Sequence, residues 1–175
     1  MGSLICTILS MIILVGFNVI SIKKFGLLDC YSAYGAKWGD WEKEHSFTNG
    51  LNLWSLITFL SAALLIPPML LSSVGNPWQF LCFFAPVYLF LVAFTPYYSR
   101  SKVDNLIHQI GSWTCVVFIL IWLIFIVHRW FILVPVTIST MVVGFGTNTF
   151  KESLIYYLEV IMYISVYLTL IFLFI

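Results

Sequence analysis

The feature that most constrains this chain is a succession of apolar stretches, each about as long as a helix that crosses a lipid bilayer. A bilayer core about 30 Å thick is crossed by about 20 residues of α-helix, in which each backbone amide is hydrogen-bonded within its own segment. Such stretches occur at about residues 3–21, 51–71, 77–94, 106–127, 131–145 and 154–175. They lack the alternation of apolar and polar residues that is typical of transmembrane β-strands. The sequence therefore predicts an all-α, polytopic integral membrane protein, a single domain over residues 1–175 with six transmembrane helices and short loops.

The composition excludes several other classes of protein. Hydrophobic residues make up 62% of the chain and charged residues 9%, whereas a soluble domain is about 25% charged. The chain has 8 Lys and Arg against 7 Asp and Glu, which leaves no basic surface for phosphates. We therefore expect neither a soluble enzyme nor nucleic-acid binding. The expected partners are the lipid bilayer itself and a lipid or another membrane protein.

The span at 131–145 is the shortest and contains Pro135, so a tilted or a re-entrant segment are both open alternatives. Only residues 128–130 separate it from the preceding span. A connection this short predicts that these two spans form an antiparallel helical hairpin.

The positive charges predict the orientation of the chain. Cytoplasmic loops of membrane proteins collect Lys and Arg, and here the first, third and fifth loops hold seven of these residues against one on the other side. We therefore expect both termini outside and these loops in the cytosol, in the inner membrane if the source is bacterial. Loop one, residues 22–50, is rich in Trp and Tyr and is expected to lie at the interface, with a lid over a polar pocket as the open alternative. The seven residues are Lys23, Lys24, Lys37, Lys43, Arg100, Lys102 and Lys151, and the one opposite is Arg129.

Polar side chains concentrate on the predicted cytosolic side of the spans. Asp104, His108 and Ser112 are spaced i, i+4, i+8 and share one helical face, so that Asp104 would orient His108. Glu159 lies at a depth similar to that of Ser112, and an ionisable group inside a span needs a polar partner. These positions predict a polar pocket, open to the cytosol, between spans two, four and six. Its candidate residues are Asn52, Ser55, Asp104, His108, Ser112 and Glu159.

A purely structural interpretation is also open for these residues. Asp104 would then be an acid at a helix N-terminus, His108 an interfacial hydrogen-bonding group and Ser112 a small packing residue. Glu159 would be a protonated packing residue. Asn52, Ser55 and Thr58 recur every three residues, so they spiral around their helix and would form interhelical hydrogen bonds instead of one site.

No familiar catalytic pattern is present. The GxSxG, HExxH and P-loop motifs do not occur. The three histidines are His45, His108 and His128, and the predicted orientation puts His128 on the opposite side from the others. The four cysteines form no CxxC pair, so we expect no metal and no cofactor.

Two classes of function therefore remain open. The first is a non-enzymatic membrane component that binds a partner, a lipid or a small solute through the polar pocket. The alternative is an intramembrane lipid hydrolase in which His108 is the general base or a metal ligand and Asp104 orients it.

A pattern over roughly residues 28–130 consists of Tyr31, Ser32 and Tyr34, the run 75–81, the run 94–96, and Ile107 with His108. This pattern resembles that of a group of small uncharacterised multi-span membrane proteins of gut bacteria and their phages. This resemblance implies a multi-span helical fold and carries no function. A more distant similarity is to membrane hydrolases of the alkaline ceramidase and progestin/adiponectin-receptor type, which would match Asp104 and His108. The last span, however, lacks the histidine that such enzymes use for zinc.

Overall fold

All the regular structure in the described part of the chain is helical. The structure is a computed structural model that describes residues 1–45, 52–147, 149 and 152–175. Short 3-10 turns occur at Tyr98–Arg100 and Trp130–Ile132, and a π-helical turn, Trp122–Ile126, continues the fifth helix. The main helices are α1 (Gly2–Phe25), α2 (Ala33–Glu44), α3 (Leu53–Leu71), α4 (Leu81–Phe94), α5 (Lys102–Ile121), α6 (Leu133–Gly146) and α7 (Leu154–Phe174).

Helices stand at all six positions where the apolar stretches predicted them. In the described residues four of these helices are long and apolar enough to cross a membrane, namely Gly2–Phe25, Leu53–Leu71, Lys102–Ile126 and Leu154–Phe174. The helices α4 and α6 have 14 residues each, fewer than the about 20 that cross a bilayer core without adjustment. The all-α class is thus confirmed for the described residues, and four of the helices have the length and apolar composition that a multi-pass membrane protein requires.

Five helices form a ring. Helix α1 packs against α3 and α7, α3 packs against α4, α4 packs against α5, and a lighter contact between α5 and α7 closes the ring. Helix α5 approaches α4 closely at Gly111, where an added Cβ would lie 3.0 Å from the carbonyl oxygen of Tyr88. Small residues at such points let two helices pack backbone against backbone.

Polar side chains also join the helices of the ring. The Ser10 hydroxyl on α1 donates to the carbonyl oxygen of Ser61 on α3, at 2.8 Å. The same hydroxyl lies 2.8 Å from the Tyr167 hydroxyl on α7. With no competing water inside a bilayer, such hydrogen bonds fix the relative positions of three helices.

The predicted hairpin of the fourth and fifth spans is wrong, because α6 packs mainly against α7. The connection between α5 and α6 contains the π-helical turn and His128, which has a φ of 53°. A π-helical turn and a left-handed residue both change the direction of the chain. On α6 the buried residues Val136, Thr140 and Gly144 recur every four residues and form its packing face.

The segment 22–50 is not simply an interfacial loop. Helix α1 continues to Phe25, and α2 packs into the end of the bundle with Tyr34 and Trp38 buried. The Trp38 indole N–H donates to the Ser21 hydroxyl of α1 at 2.8 Å. The Lys24 ammonium lies 3.0 Å from the centre of the Trp41 ring, a cation–π contact. Residues 46–50 of the predicted loop lie outside the described part.

Helix α2 reaches this position because glycines line its buried face. A Cβ at Gly35 would lie 2.9 Å from the Trp54 ring, and one at Gly39 would collide with the Tyr97 hydroxyl. Larger residues would therefore hold α2 away from α3 and from the chain that follows α4. This end of the bundle, called the basic end below, carries Lys23, Lys24, Lys37, Lys43, Arg100 and Lys102.

Candidate functional site

A cavity of about 620 Å³ lies at the basic end, between α2, the first turns of α3, the end of α4 and the start of α5. The residues that line the cavity come from the ends of these elements that lie at the basic end. The lining residues are Gly39, Glu42, Lys43, Asn52, Ser55, Leu56, Phe59, Ala93, Phe94, Thr95, Pro96, Tyr97 and Asp104.

One wall of the cavity is apolar and reaches the outer surface of the helices. Leu56, Phe59 and Phe94 remain 48%, 38% and 71% exposed. The ring of Phe59 lies 6.1 Å from that of Phe94 and 4.4 Å from that of Phe90, so aromatic rings continue along α4. Leu56 and Phe59 lie about 4.5 and 9 Å along α3 from its first residue. The wall therefore runs from the basic end toward the depth at which acyl chains would lie.

The opposite part of the cavity is polar. The carboxylate of Glu42 accepts a hydrogen bond from the backbone N–H of Leu53 at 2.7 Å. The Ser55 hydroxyl oxygen is buried and has no hydrogen-bond partner in the described residues. The Lys43 ammonium lies 4.6 Å from the centre of the Tyr97 ring. The cavity is therefore amphipathic, with one polar end and one apolar wall.

The ionic groups of this region divide into a paired and an unpaired set. Arg100 forms a salt bridge with Asp40, its guanidinium nitrogen lying 2.6 and 2.7 Å from the two carboxylate oxygens. In the described part of the chain this is the one salt bridge. Lys43 and Asp104 line the cavity without an oppositely charged partner among those residues.

Three of the six residues predicted for the pocket, Asn52, Ser55 and Asp104, line the cavity. Asn52 also has a structural role. Its side-chain oxygen accepts hydrogen bonds from the backbone N–H groups of Trp54 and Ser55, and so caps α3. Its amide nitrogen donates to the carbonyl oxygen of Gly35 on α2 at 2.7 Å.

The other three predicted residues, His108, Ser112 and Glu159, do not line the cavity. His108 is buried behind Thr95, with its Nδ1 atom 3.1 Å from the Thr95 hydroxyl. The imidazole stacks on the Tyr98 ring at a centroid distance of 4.2 Å. The predicted orientation of His108 by Asp104 is therefore wrong. The two residues lie one turn apart, but the imidazole points toward the chain that follows α4.

Glu159 on α7 binds a chain segment, residues 26–32, that we call the plug. One carboxylate oxygen accepts a hydrogen bond from the backbone N–H of Tyr31 at 2.6 Å. The backbone N–H of Tyr156, also on α7, donates to the carbonyl oxygen of Asp29 at 2.9 Å. The plug begins at Gly26, whose φ of 78° is a left-handed value that favours glycine. It fills the basic end of the ring beside α7.

The plug connects Glu159 with His108. Next to Tyr31, the Cys30 sulfur lies 3.3 Å from the Tyr98 hydroxyl, and the Tyr98 ring stacks on His108. Burial raises the pKa of Tyr98 above its ordinary value, so the phenol remains neutral at physiological pH. The carboxylate and the imidazole thus belong to one polar network at the basic end, separate from the cavity lining.

Substitutions of Glu159 test its role as an acceptor. We expect Glu159→Gln, which keeps an acceptor oxygen, to lower the free energy of unfolding by less than a variant without an acceptor. Glu159→Leu leaves the Tyr31 N–H without its acceptor, so we expect a loss of about 1–3 kcal/mol. Unfolding of the purified variants in mixed micelles measures both. Equal losses in the two variants would contradict the acceptor role.

The sequence did not predict Lys43, Thr95 and Tyr97 as residues of the site, although all three line the cavity. Thr95 and Pro96 follow directly on α4 in the motif Phe94-Thr95-Pro96, which is the signal that marks this part of the site. Lys43 lies in the segment predicted to be an interfacial loop or a lid, and the sequence pattern does not single out Lys43 itself as a cavity residue.

No cluster of three or more His, Cys, Asp or Glu residues suitable for a metal ion occurs in the described ranges. His45, which the predicted orientation puts on the same side as His108, is exposed, and its ring stacks on that of Trp41 at a centroid distance of 4.5 Å. A comparison of the chain with family models, curated proteins and solved structures gives no match. The resemblance to multi-span proteins of gut bacteria and phages therefore stays a prediction.

Proposed function

We propose that this chain is a non-enzymatic, six-span membrane protein that binds a lipid through the cavity at its basic end. The observation that carries the proposal is the combination, in one cavity, of a polar end with an apolar wall that is exposed at the outer surface of the helices. Leu56, Phe59 and Phe94 are exposed on the surface that a bilayer would cover, while Lys43 and Asp104 lie at the basic end. This is the arrangement that one membrane lipid needs, because its headgroup is polar and its acyl chains are apolar.

The geometry of the cavity also discriminates among the possible classes of ligand.

 A small polar solute would need no apolar wall, and a partner protein would need a broader exposed patch than one cavity with three exposed apolar residues offers. A lipid uses both parts of the cavity at once. We therefore place the bound lipid with its headgroup near Lys43 and its acyl chains along Phe59 and Phe94.

The proposed placement in the membrane follows from helix length and charge. Helices α4 and α6 would cross by local thinning of the bilayer or with the help of the turns that precede them. The basic end would face the cytosol, because Lys and Arg concentrate there, and both termini would then lie outside. The cavity would open into the cytosolic leaflet.

No observation favours the alternative of a lipid hydrolase. His108 is bonded to Thr95 and does not line the cavity. Ser55 does line it, but its hydroxyl has no hydrogen-bond partner in the described residues that could act as a base.

Filling the cavity tests the proposal. We expect the purified full-length protein to retain about one lipid per chain in native mass spectrometry. Ser55→Phe places a ring inside the cavity, so we expect it to lower lipid occupancy about tenfold. The matched control is Ser139→Phe, which adds the same ring on the exposed face of α6 and should retain lipid like the unmodified protein.

Equal lipid occupancy in the two variants would contradict the proposal, because the retained lipid would then bind elsewhere on the protein. Helix content, measured by circular dichroism, shows whether Ser55→Phe has folded. If Ser55→Phe has not folded, Leu56→Ala and Phe59→Ala remove apolar surface from the wall of the cavity without adding volume. These two alanine variants are then the ones expected to lower lipid occupancy.

A further inference from the structure

The charged residues of the cavity indicate the chemistry of the lipid headgroup that it would bind. This step depends on the proposed function. Lys43 on α2 supplies a cation and Asp104 on α5 supplies an anion, and each lines the cavity. Neither has an ion-pair partner in the part of the chain that the structure describes. The nearby Arg100 is neutralised by both carboxylate oxygens of Asp40.

A headgroup that complements these two residues carries both charges. Its phosphate would bind the Lys43 ammonium, and its own cationic group would bind the Asp104 carboxylate. An anionic headgroup would satisfy Lys43 but would face the Asp104 carboxylate with no cation. The charge pattern therefore favours a zwitterionic lipid over an anionic one.

The kind of cation follows from the hydrogen-bonding capacity of Asp104. An ionised carboxylate only accepts hydrogen bonds, and a primary ammonium group offers three donors. A trimethylammonium group offers none and instead binds best on open aromatic faces. In the cavity the Tyr97 ring is already in contact with the Lys43 ammonium, at 4.6 Å, and with the Arg100 guanidinium, at 4.5 Å. The carboxylate is thus the better site for the headgroup cation.

We infer that the cavity selects a zwitterionic phospholipid with a primary ammonium headgroup, which Lys43 binds at the phosphate and Asp104 binds at the ammonium group. The apolar wall formed by Leu56, Phe59 and Phe94 would hold its acyl chains without selecting among lipids of the same chain length. Selectivity therefore lies in the headgroup.

The test compares three lipids with identical acyl chains, phosphatidylethanolamine, phosphatidylcholine and phosphatidylglycerol, in competition for the full-length protein. Lipid bound per chain is measured by native mass spectrometry. We expect phosphatidylethanolamine to be preferred about tenfold over each of the others, the size of one charge-assisted hydrogen bond.

Two variants separate the roles of the charged residues. Asp104→Asn should remove the preference for phosphatidylethanolamine over phosphatidylcholine. The control Glu152→Gln changes an exposed acid that does not line the cavity, and it should keep the preference. Lys43→Gln should weaken the binding of all three lipids, whereas Lys102→Gln, which does not line the cavity, should not.

The outcomes distinguish this inference from the proposed function. If Ser55→Phe abolishes binding but the three lipids bind equally well to the unmodified protein, the lipid site stands and headgroup selection is overturned. If no lipid is retained by the unmodified protein, both are overturned. A preference for phosphatidylethanolamine that survives Asp104→Asn would overturn the assignment of the ammonium group to Asp104.

Discussion

Replacing Gly111 with leucine is expected to destabilise the protein by about 2–3 kcal/mol. An added Cβ would lie 3.0 Å from both the Tyr88 carbonyl oxygen and the Leu91 Cβ, and 3.1 Å from a methyl group of Val92. The carbonyl belongs to the backbone of α4 and cannot turn aside as a flexible side chain would. The two helices must therefore separate, and they lose contacts along their whole interface.

The control for this prediction is Gly16→Leu on α1, where an added Cβ meets no atom within 4 Å. Its free energy of unfolding should stay within about 0.5 kcal/mol of the unmodified protein. Reversible unfolding in mixed micelles, followed by helix content, measures both variants. A loss for Gly16→Leu as large as that for Gly111→Leu would show that the size of leucine, and not the contact between α4 and α5, decides the result.

Replacing Asn52 with alanine is expected to lower the free energy of unfolding by about 2–4 kcal/mol, because one side chain makes two kinds of hydrogen bond. Loss of the cap of α3 contributes about 1 kcal/mol. The Gly35 carbonyl oxygen on α2 also loses its donor, at about 1–3 kcal/mol for a buried group. The same unfolding measurement in mixed micelles applies.

Two further variants separate these contributions. Asn52→Ser keeps a side-chain oxygen that can cap α3 but lacks the amide donor to Gly35, so its loss should be smaller than that of the alanine variant. Asn105→Ala removes an exposed amide that accepts from Gln109 and should cost less than about 0.5 kcal/mol. If Asn52→Ala matches Asn105→Ala, the hydrogen bonds of Asn52 do not stabilise the fold.

The six apolar helices could be predicted from the sequence because each corresponds to an apolar run, as in Gly2–Phe25. Helix α2 could not. Its residues mix Trp, Lys and Asp, a composition typical of the membrane interface, and its burial depends on glycines that matter only once Trp54 and Tyr97 are in place. A short range of sequence does not contain that information.

The site was predicted in part for a similar reason. Depth along the helices correctly brought Asn52, Ser55 and Asp104 to one end of the bundle. Helical spacing, however, indicates which residues share a face and not which partner a side chain chooses. His108 lies one turn from Asp104, but it bonds to Thr95, a residue that becomes its neighbour only through the packing of α4 against α5.

Helix α6 lies outside the ring and packs mainly against α7, through a narrow face of Val136, Thr140 and Gly144. Its separation from α7 would leave the contacts among α1, α3, α4 and α5 intact. Opening of this kind is a sub-global event with a free energy below that of complete unfolding. The amide hydrogens of α6 are thus expected to exchange with solvent deuterium sooner than those of the ring, so that the protein has a peripheral cooperative unit and a central one.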